Sequence, residues 1–341
     1  MSDNVRSIIH ALTSTVSYSQ DEMKAAFADI MSGEVSAAQI SAFLIGLKMR
    51  GETPSDIAAG ASILREMAAT INAPRDAMDI VGTGGDGIGT YNISTATAFV
   101  VAGSGVTVAK HGNRAVSSKS GAADVLTSLG VNLDCDFAII EQALQDAGVC
   151  FLMAPRHHAA MRHVGPVRAE LGTRTIFNLL GPLSNPALVD RIMVGVYDRQ
   201  WLEPFAQALR ELGTKHAWIV HGADGLDEIT TTGTSYVTSL QNGEIVSFEI
   251  NPEDYGISLV SIDALKGGTG TENAASLRAV LENDPNASSA YRDVVLLNAA
   301  CALVAGGHEA DVKAGLERAR SSLDSGAALS ALDKLVRITN Q

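Results

Sequence analysis

Residues 79–118 read DIVGTGGDGIGTYNISTATAFVVAGSGVTVAKHGNRAVSS, and the fold turns on how this stretch is read. Two polar, glycine-bearing loops, 82–95 and 110–118, bracket an apolar run of β-branched and small residues. Both loops should therefore lie near one sheet edge. Gly82, Gly84, Gly85, Gly87 and Gly89 carry no Cβ to keep an oxyanion away from backbone N–H groups, so the first loop can wrap a phosphate. Asn92, Ser94 and Thr95 then precede residues 96–102, which have the composition of a buried helix opening. Free N–H groups and hydroxyls at such an opening favour negative charge.

The second loop adds cations. Lys110, His111, Arg114 and Lys119 fall within ten positions, interleaved with Gly112, Asn113, Ser117 and Ser118, and read as a flexible basic flap over a phosphate. A glycine-rich stretch alone is ordinarily a turn, and it is the pairing of the two loops that points to an anion site. No Gly-Lys-Ser/Thr follows at Walker spacing, and the stretch is not read as a dinucleotide fingerprint.

Composition narrows the classes. The chain has 341 residues, 46% of them hydrophobic and only 5% aromatic, with 32 glycines, which suits a compact α/β enzyme with a large core and one or two domains. Against 25 Lys and Arg stand 38 Asp and Glu, a formal charge of −13. Such a surface argues against nucleic acid as a partner, because duplex affinity rests on neutralising phosphates. The local basic cluster at 110–119 leaves room for a phosphorylated small molecule. Cys135, Cys150 and Cys301 have no C-x-x-C spacing and read as reduced, buried thiols of a cytoplasmic protein. The N-terminal residues lack a basic-then-apolar leader pattern, and no apolar run is long enough to span a membrane.

Upstream of the central stretch, residues 1–72 read as short helices. Ser19, Ser36 and Thr53-Pro54 mark three starts, and Gly33 and Gly51 mark stops. Met23, Phe27, Ile30 and Met31 share one face, as do Ile40, Phe43, Leu44 and Leu47, then Ile57, Ile63, Leu64 and Met67. This is the pattern of a small bundle whose stripes form core. After a linker at 72–74, buried strands are expected at 77–81, 106–109, 149–153, 191–196 and 217–220, each leading into a polar loop and helix-like sequence. The expected class is α/β, a mostly parallel central sheet flanked by helices, with a small all-helical domain at 1–72 and a large domain at 73–341. Ligands of such sheets bind beyond the carboxyl ends of the strands, where the loops at 82 and 110 fall.

His157, His158 and His163 invite a zinc reading, but no cysteine or carboxylate stands at ligand spacing. Arg168 and Arg174 could each clamp a carboxylate through parallel hydrogen bonds, or form surface ion pairs. Asp227 and Glu228 offer hard oxygens for Mg²⁺ on a loop after a strand, though acidic pairs on loops are commonly just solvated. Residues 175–180 read as helix, 231–265 as hairpin-like β around Gln241-Asn242-Gly243, and 294–304 as a strongly apolar helix.

In combination, Gly82-Thr83-Gly84-Gly85-Asp86, Asn92-Ile93-Ser94-Thr95, Lys110-His111-Gly112-Asn113-Arg114, Gly165-Pro166-Val167-Arg168 and Gly225-Leu226-Asp227-Glu228 resemble, in order and approximate spacing, the motifs of the anthranilate phosphoribosyltransferases. The resemblance runs from about residue 20 to about residue 330. It implies transfer of the phosphoribosyl group of 5-phosphoribosyl 1-pyrophosphate to the amine of anthranilate, with Mg²⁺ as cofactor, two ions expected, in tryptophan biosynthesis. It implies that the sugar donor is held by Gly82, Gly85, Asp86 and Thr90, by Asn92, Ile93, Ser94 and Thr95, and by Lys110, His111, Gly112, Asn113, Arg114, Ala115, Val116, Ser117 and Ser118, with Ala122 beyond them. By the same resemblance Gly82, Asn113 and Arg168 meet anthranilate, and Ser94, Asp227 and Glu228 surround the metal. It also implies a homodimer, and a helical domain completed by a segment near 165–186. Ala122 stands where the family often has serine, Ala159 where it often has proline, and Tyr91 where phenylalanine is frequent. None of these removes a charge or a metal ligand. A pyrimidine nucleoside phosphorylase would share the general fold, with different glycine and lysine motifs.

Overall fold

The computed structural model describes residues 2–115 and 119–341. Four helices open the chain: α1 (Asp3–Leu12), α2 (Gln20–Ser32), α3 (Ala37–Arg50) and α4 (Pro54–Glu66). Their ends are written in the sequence. Ser19 and Glu22 form a reciprocal capping box at the start of α2, Thr53 and Asp56 form another at α4 behind Pro54, and Gly33 closes α2 at φ +85°. Phe27 of α2 meets Phe43 of α3 edge-on at 5.3 Å and Phe177, from far downstream, at 6.1 Å.

Seven strands form one sheet: β1 (Met78–Gly82), β2 (Val108–Gly112), β3 (Val149–Met153), β4 (Arg191–Gly195), β5 (His216–Gly222), β6 (Ser235–Gln241) and β7 (Glu244–Ile250), in the order β3-β2-β1-β4-β5-β6-β7. The first five are parallel and β6 and β7 are an antiparallel hairpin added at one edge. The strand order reverses between β1 and β4, which pair in register from Met78↔Arg191 to Gly82↔Gly195. Crevices open at such reversals, beyond the carboxyl ends of the strands.

β1 and β4 alternate between two cores, while Ala109 of β2 and Cys150 and Leu152 of β3 face a third, smaller cluster. Ile80 and Met193 face a core built with α5 (Ile93–Gly103) and the helices Ser289–Ala305, Val312–Asp324 and Ala327–Thr339. Val81, Ile192 and Val194 face the opposite way, into a core that runs through the helix Leu202–Glu211 to the N-terminal bundle. Val164, Val167, Ile176, Phe177 and Leu180 belong to that second core, so the 164–180 segment packs with the bundle. Each such fully buried aliphatic or aromatic side chain contributes about 1.5–3 kcal/mol.

Two boundaries differ from the sequence reading in a way that matters for the site. β2 begins at Val108 and runs to Gly112, so Lys110 and His111 are strand residues paired with Phe151 and Leu152 of β3, not flap residues. Their polar character concealed this, because a charged residue reads as loop unless its buried partners are known. The 175–180 helix is shortened to Phe177–Leu180 and continues as the tighter turn Gly181–Leu183.

Candidate active site at the carboxyl ends of the parallel strands

The loop after β5 folds back over the ends of β1 and β4. The backbone N–H of Gly84 donates to Asp227 Oδ2 at 2.7 Å. A Cβ at Gly82 would overlap that carboxylate, and one at Gly195 would overlap the Asp227 carbonyl. Glycine at these two register-paired positions is thus a requirement of close approach. Glu228, next in the chain, accepts from the Ser94 N–H at 3.1 Å at the start of α5. The two carboxylates are in this way delivered to the first glycine loop and to the helix N-terminus, respectively.

Lys110 joins them from the adjacent strand. It is only 4% exposed, donates to the Ile80 carbonyl, and reaches Ser94 Oγ at 3.2 Å. Behind it lies Asp79, fully buried in β1, which accepts from the His111 N–H at 3.0 Å and from Asn185 Nδ2 at 2.8 Å. Asn185 also donates to the Ala109 carbonyl, so one amide ties β1, β2 and the 181–188 segment together. Burial pushes the Asp79 carboxyl up to about 6, with Lys110 and the two donors opposing.

The charges of the cleft are unbalanced. Burial, then the negative charge of Asp86, raises Asp227 to about 6. Burial, then the charge of Asp227, raises Glu228 to about 8 against the pull of Lys110. Lys110 itself is lowered by burial, with Asp79, Glu228 and Asp227 opposing. Asp86, whose Oδ1 accepts from Ile88 N–H at 3.2 Å, is raised by burial too. A set of hard oxygens held at raised pKa beside one lysine is a cleft short of positive charge, which suits a divalent cation.

The remaining expected residues divide by what their side chains can reach. Gly85, at φ +79°, offers its carbonyl to Arg174, whose guanidinium lies 4.0 Å from the Tyr197 ring centroid and so closes the first loop from outside. Ile93 and Thr95 are each 1% exposed, and the Ile93 N–H is taken up by the Tyr91 carbonyl at 2.9 Å. His111 is likewise buried, its ring 5.2 Å from that of His158. Asn113 caps the turn by accepting from the Arg114 N–H at 2.8 Å, and Arg114 and Ala115 both bond to Asp124. Gly112 lies against Phe151, and Ala122 opens the helix Ala122–Ser128. Val116, Ser117 and Ser118 lie outside the described residues.

Arg168 is on the helix Gly165–Leu171, half-buried, 5.6 Å from the Phe177 ring centroid. Among the described residues it has no hydrogen-bonding or ionic partner, and no direct bond joins it to Gly82 or Asn113. The three histidines do not converge: His157 stacks on Phe137 and bonds the Ala69 carbonyl at 2.6 Å, whereas His163 packs on Gly33. Among the described residues no cluster of three or more His, Cys, Asp or Glu could hold a metal by itself. A magnesium at Asp227 and Glu228 would need ligand oxygens from elsewhere, as Mg²⁺ usually does.

GTGGDG at 82–87 does satisfy G-x-G-x-x-G letter by letter. The dinucleotide geometry is not formed, because the helix opens only at Ile93, after an extended stretch in which Thr90 bridges Lys266. That bridge marks a third segment the sequence reading missed. Tyr91 N–H donates to the Leu265 carbonyl and Gly267 N–H to the Gly89 carbonyl, both at 3.0 Å, strapping residues 265–267 along the first loop. Asp79 was the more visible omission, a carboxylate inside an apolar strand pattern.

Residues 6–68 match the family described as glycosyl transferase family, helical bundle domain, and residues 74–329 match glycosyl transferase family, a/b domain. An anthranilate phosphoribosyltransferase of Parvibaculum lavamentivorans is 57% identical over 319 residues, 94% of this chain and 93% of its own. The anthranilate phosphoribosyltransferase of Thermus thermophilus superposes with a TM-score of 0.93 at 41% identity, covering 100% of both chains. The Saccharomyces cerevisiae enzyme, solved with PRPP and Mg, gives 0.91 at 27% identity over 100% of this chain and 99% of its own. With family matches over both the bundle and the sheet, and identity above half along nearly its full length, the chain belongs to the anthranilate phosphoribosyltransferase family.

Proposed function

We infer that the chain transfers the 5-phosphoribosyl group of 5-phosphoribosyl 1-pyrophosphate to the amine of anthranilate, giving N-(5-phosphoribosyl)anthranilate and pyrophosphate, a step of tryptophan biosynthesis. Family membership supports the reaction. The observation that carries the site is the convergence of Asp227, Glu228, Ser94 and Lys110 on two loop ends at the sheet reversal.

In this reading the donor's diphosphate lies between the 82–92 loop and the segment following β2, against the N-terminus of α5. Asp227, Glu228 and the Ser94 hydroxyl would hold Mg²⁺, two ions in this proposal, and the metal would supply neutralisation of the charge that accumulates on the leaving pyrophosphate. Support for more than one ion is the excess of Asp86, Asp227 and Glu228 over Lys110. Lys110, fixed by the Ile80 carbonyl and Ser94, supplies a preorganised positive charge at the same end of the donor. Arg168, unpaired among the described residues and 5.6 Å from the Phe177 ring centroid, receives the anthranilate carboxylate and turns the amine toward C1 of the ribose. The amine nitrogen forms its bond to C1 as the C1–O bond to pyrophosphate breaks, and the surplus amine proton leaves to the substrate's own carboxylate or to water. The neutral amine needs no general base before attack, so positioning supplies much of the rate.

The same reading divides the chain into a helical domain at 1–72, completed by the 165–186 segment, and an α/β domain at 73–341. It places the protein in the cytoplasm, in keeping with three buried free cysteines, and pairs it as a homodimer. The exposed apolar Val16 and Met49 at one end of the bundle are in keeping with that pairing. Anthranilate fluorescence tests the activity directly. It should decay only when the sugar donor and Mg²⁺ are both present, and a steady signal under those conditions would remove the proposal.

A further inference from the structure

Asn92 occupies the N-cap position of α5 but makes no capping bond with its side chain. The amide is turned instead to a buried neighbour 181 residues away: Asn273 Nδ2 donates to Asn92 Oδ1 at 2.8 Å. Asn273 is 1% exposed, and its own orientation is not free. The backbone N–H of Gly268, which can only donate, points at Asn273 Oδ1 from 2.7 Å. That donor fixes the polarity of everything beyond it. With its oxygen on Gly268, Asn273 must show its NH₂ to Asn92, and Asn92 must answer with its oxygen. Ser120 Oγ, at the base of the second loop, donates to the same oxygen at 3.2 Å. Both lone pairs of Asn92 Oδ1 are thereby engaged, and its NH₂ is left with one long contact, to the Ser120 carbonyl at 3.4 Å.

The supports of this chain are tight. A Cβ on Gly267 would stand 2.7 Å from both Asn273 Oδ1 and the Thr90 carbonyl, and the Tyr291 hydroxyl holds the Asn92 carbonyl at 3.2 Å while its ring stacks on Tyr91. An asparagine offers an anion either a donor or an acceptor, depending only on which way the amide is turned.

We propose that Asn273 is a positioning residue for the sugar donor: through the Gly268–Asn273–Asn92 polarity chain it locks the Asn92 amide with its N–H face toward the diphosphate. The inference rests on the site reading above, in which Asn92 meets the donor. Removing the lock lets the amide turn its oxygen toward the diphosphate.

The test is steady-state kinetics on Asn92→Ala, Asn273→Leu and Asn273→Asp, with melting temperatures alongside. Asn92→Ala and Asn273→Leu should each raise the KM for 5-phosphoribosyl 1-pyrophosphate about tenfold or more, the loss of one hydrogen bond to a charged group, with the anthranilate KM unmoved. Asn273→Asp keeps the Gly268 bond but presents a carboxylate to Asn92. Its donor KM, relative to wild type at the same pH, should be raised at pH 8 and fall back as acid protonates the carboxyl and restores an O–H donor. Asn273→Leu should show no such recovery. A lowered melting temperature with an unchanged donor KM in both Asn273 variants would make the residue merely structural and overturn the inference. An unchanged donor KM in Asn92→Ala would instead remove the site reading beneath it.

Discussion

The Gly84 N–H and the Asp227 carboxylate, 2.7 Å apart, join the loop after β1 to the loop after β5 across 143 positions of chain. The junction exists because Gly82 and Gly195 leave room for Asp227 above the strand ends. The two glycines should fail differently. At Gly82 the added methyl meets a side-chain carboxylate that can turn aside, so Gly82→Ala should fold with near-normal stability and lose activity by about a hundredfold or more as Asp227 is displaced. At Gly195 it meets a backbone carbonyl that cannot move without its loop, so Gly195→Ala should destabilise by about 1–3 kcal/mol or more. Paired melting curves and rates check the contrast, and equal behaviour of the two variants would contradict it.

Arg168 carries the aromatic acid in this account, being half-buried and unpaired among the described residues. Arg168→Ala should raise the anthranilate KM by about tenfold to a hundredfold, the worth of a charge-assisted pair, with a smaller effect on the donor. Arg168→Lys should recover only part, since an ammonium cannot form two parallel bonds. A rise confined to the donor KM would assign the arginine to the other substrate.

Metal binding should be coupled to protons. Burial, then the charge of Asp227, holds Glu228 well above the ordinary carboxylate range, and burial raises Asp227 to about 6. Mg²⁺ needs both as anions, so its affinity should rise as pH climbs through 6 to 8 and level off above, with net proton release near pH 7. Calorimetry in buffers of different ionisation enthalpy measures the release. Asp227→Asn combined with Glu228→Gln should abolish it and blunt the Mg²⁺ dependence of turnover; a magnesium titration like wild type's would refute the metal role.

The buried histidines should cost the fold stability in acid. Burial first, and neighbouring histidines second, hold His111 at about 3 and His158 at about 4. Below an unfolded value of about 6.5 the unfolded chain binds the extra protons, so each histidine removes up to about 1.4 kcal/mol per pH unit as pH falls from 6.5 toward its folded value. Asp79 and Asp227, with raised values, act with the opposite sign between about 4 and about 6. His111→Gln therefore isolates the histidine contribution. Urea unfolding should show the variant losing about 2 kcal/mol less than wild type between pH 7 and pH 5, and identical losses would contradict the assignment.

Much of this molecule is legible in its sequence, for local reasons. Ser19, Ser36 and Thr53 announce helices because a cap and its helix are adjacent in sequence, and the glycine loop announces strand β1 because Gly82 ends it. Lys110 and His111 read as flap residues because the groups facing them, buried Asp79, half-buried Glu228 and buried His158, lie 31, 118 and 47 positions away. Residues 265–273 were invisible for the same reason. Lys266-Gly267-Gly268 has turn composition, and only the fold brings it against Thr90 and Asn92.

The central claim is that one cleft, where β1 and β4 diverge, holds the donor's diphosphate between the two loops. Its most direct test is a crystal structure of the protein with 5-phosphoribosyl 1-pyrophosphate and Mg²⁺. The account predicts the diphosphate against the 82–95 backbone with Lys110 beside it and Mg²⁺ on Asp227 and Glu228. A donor bound away from both loops, or a metal that touches neither carboxylate, would contradict it.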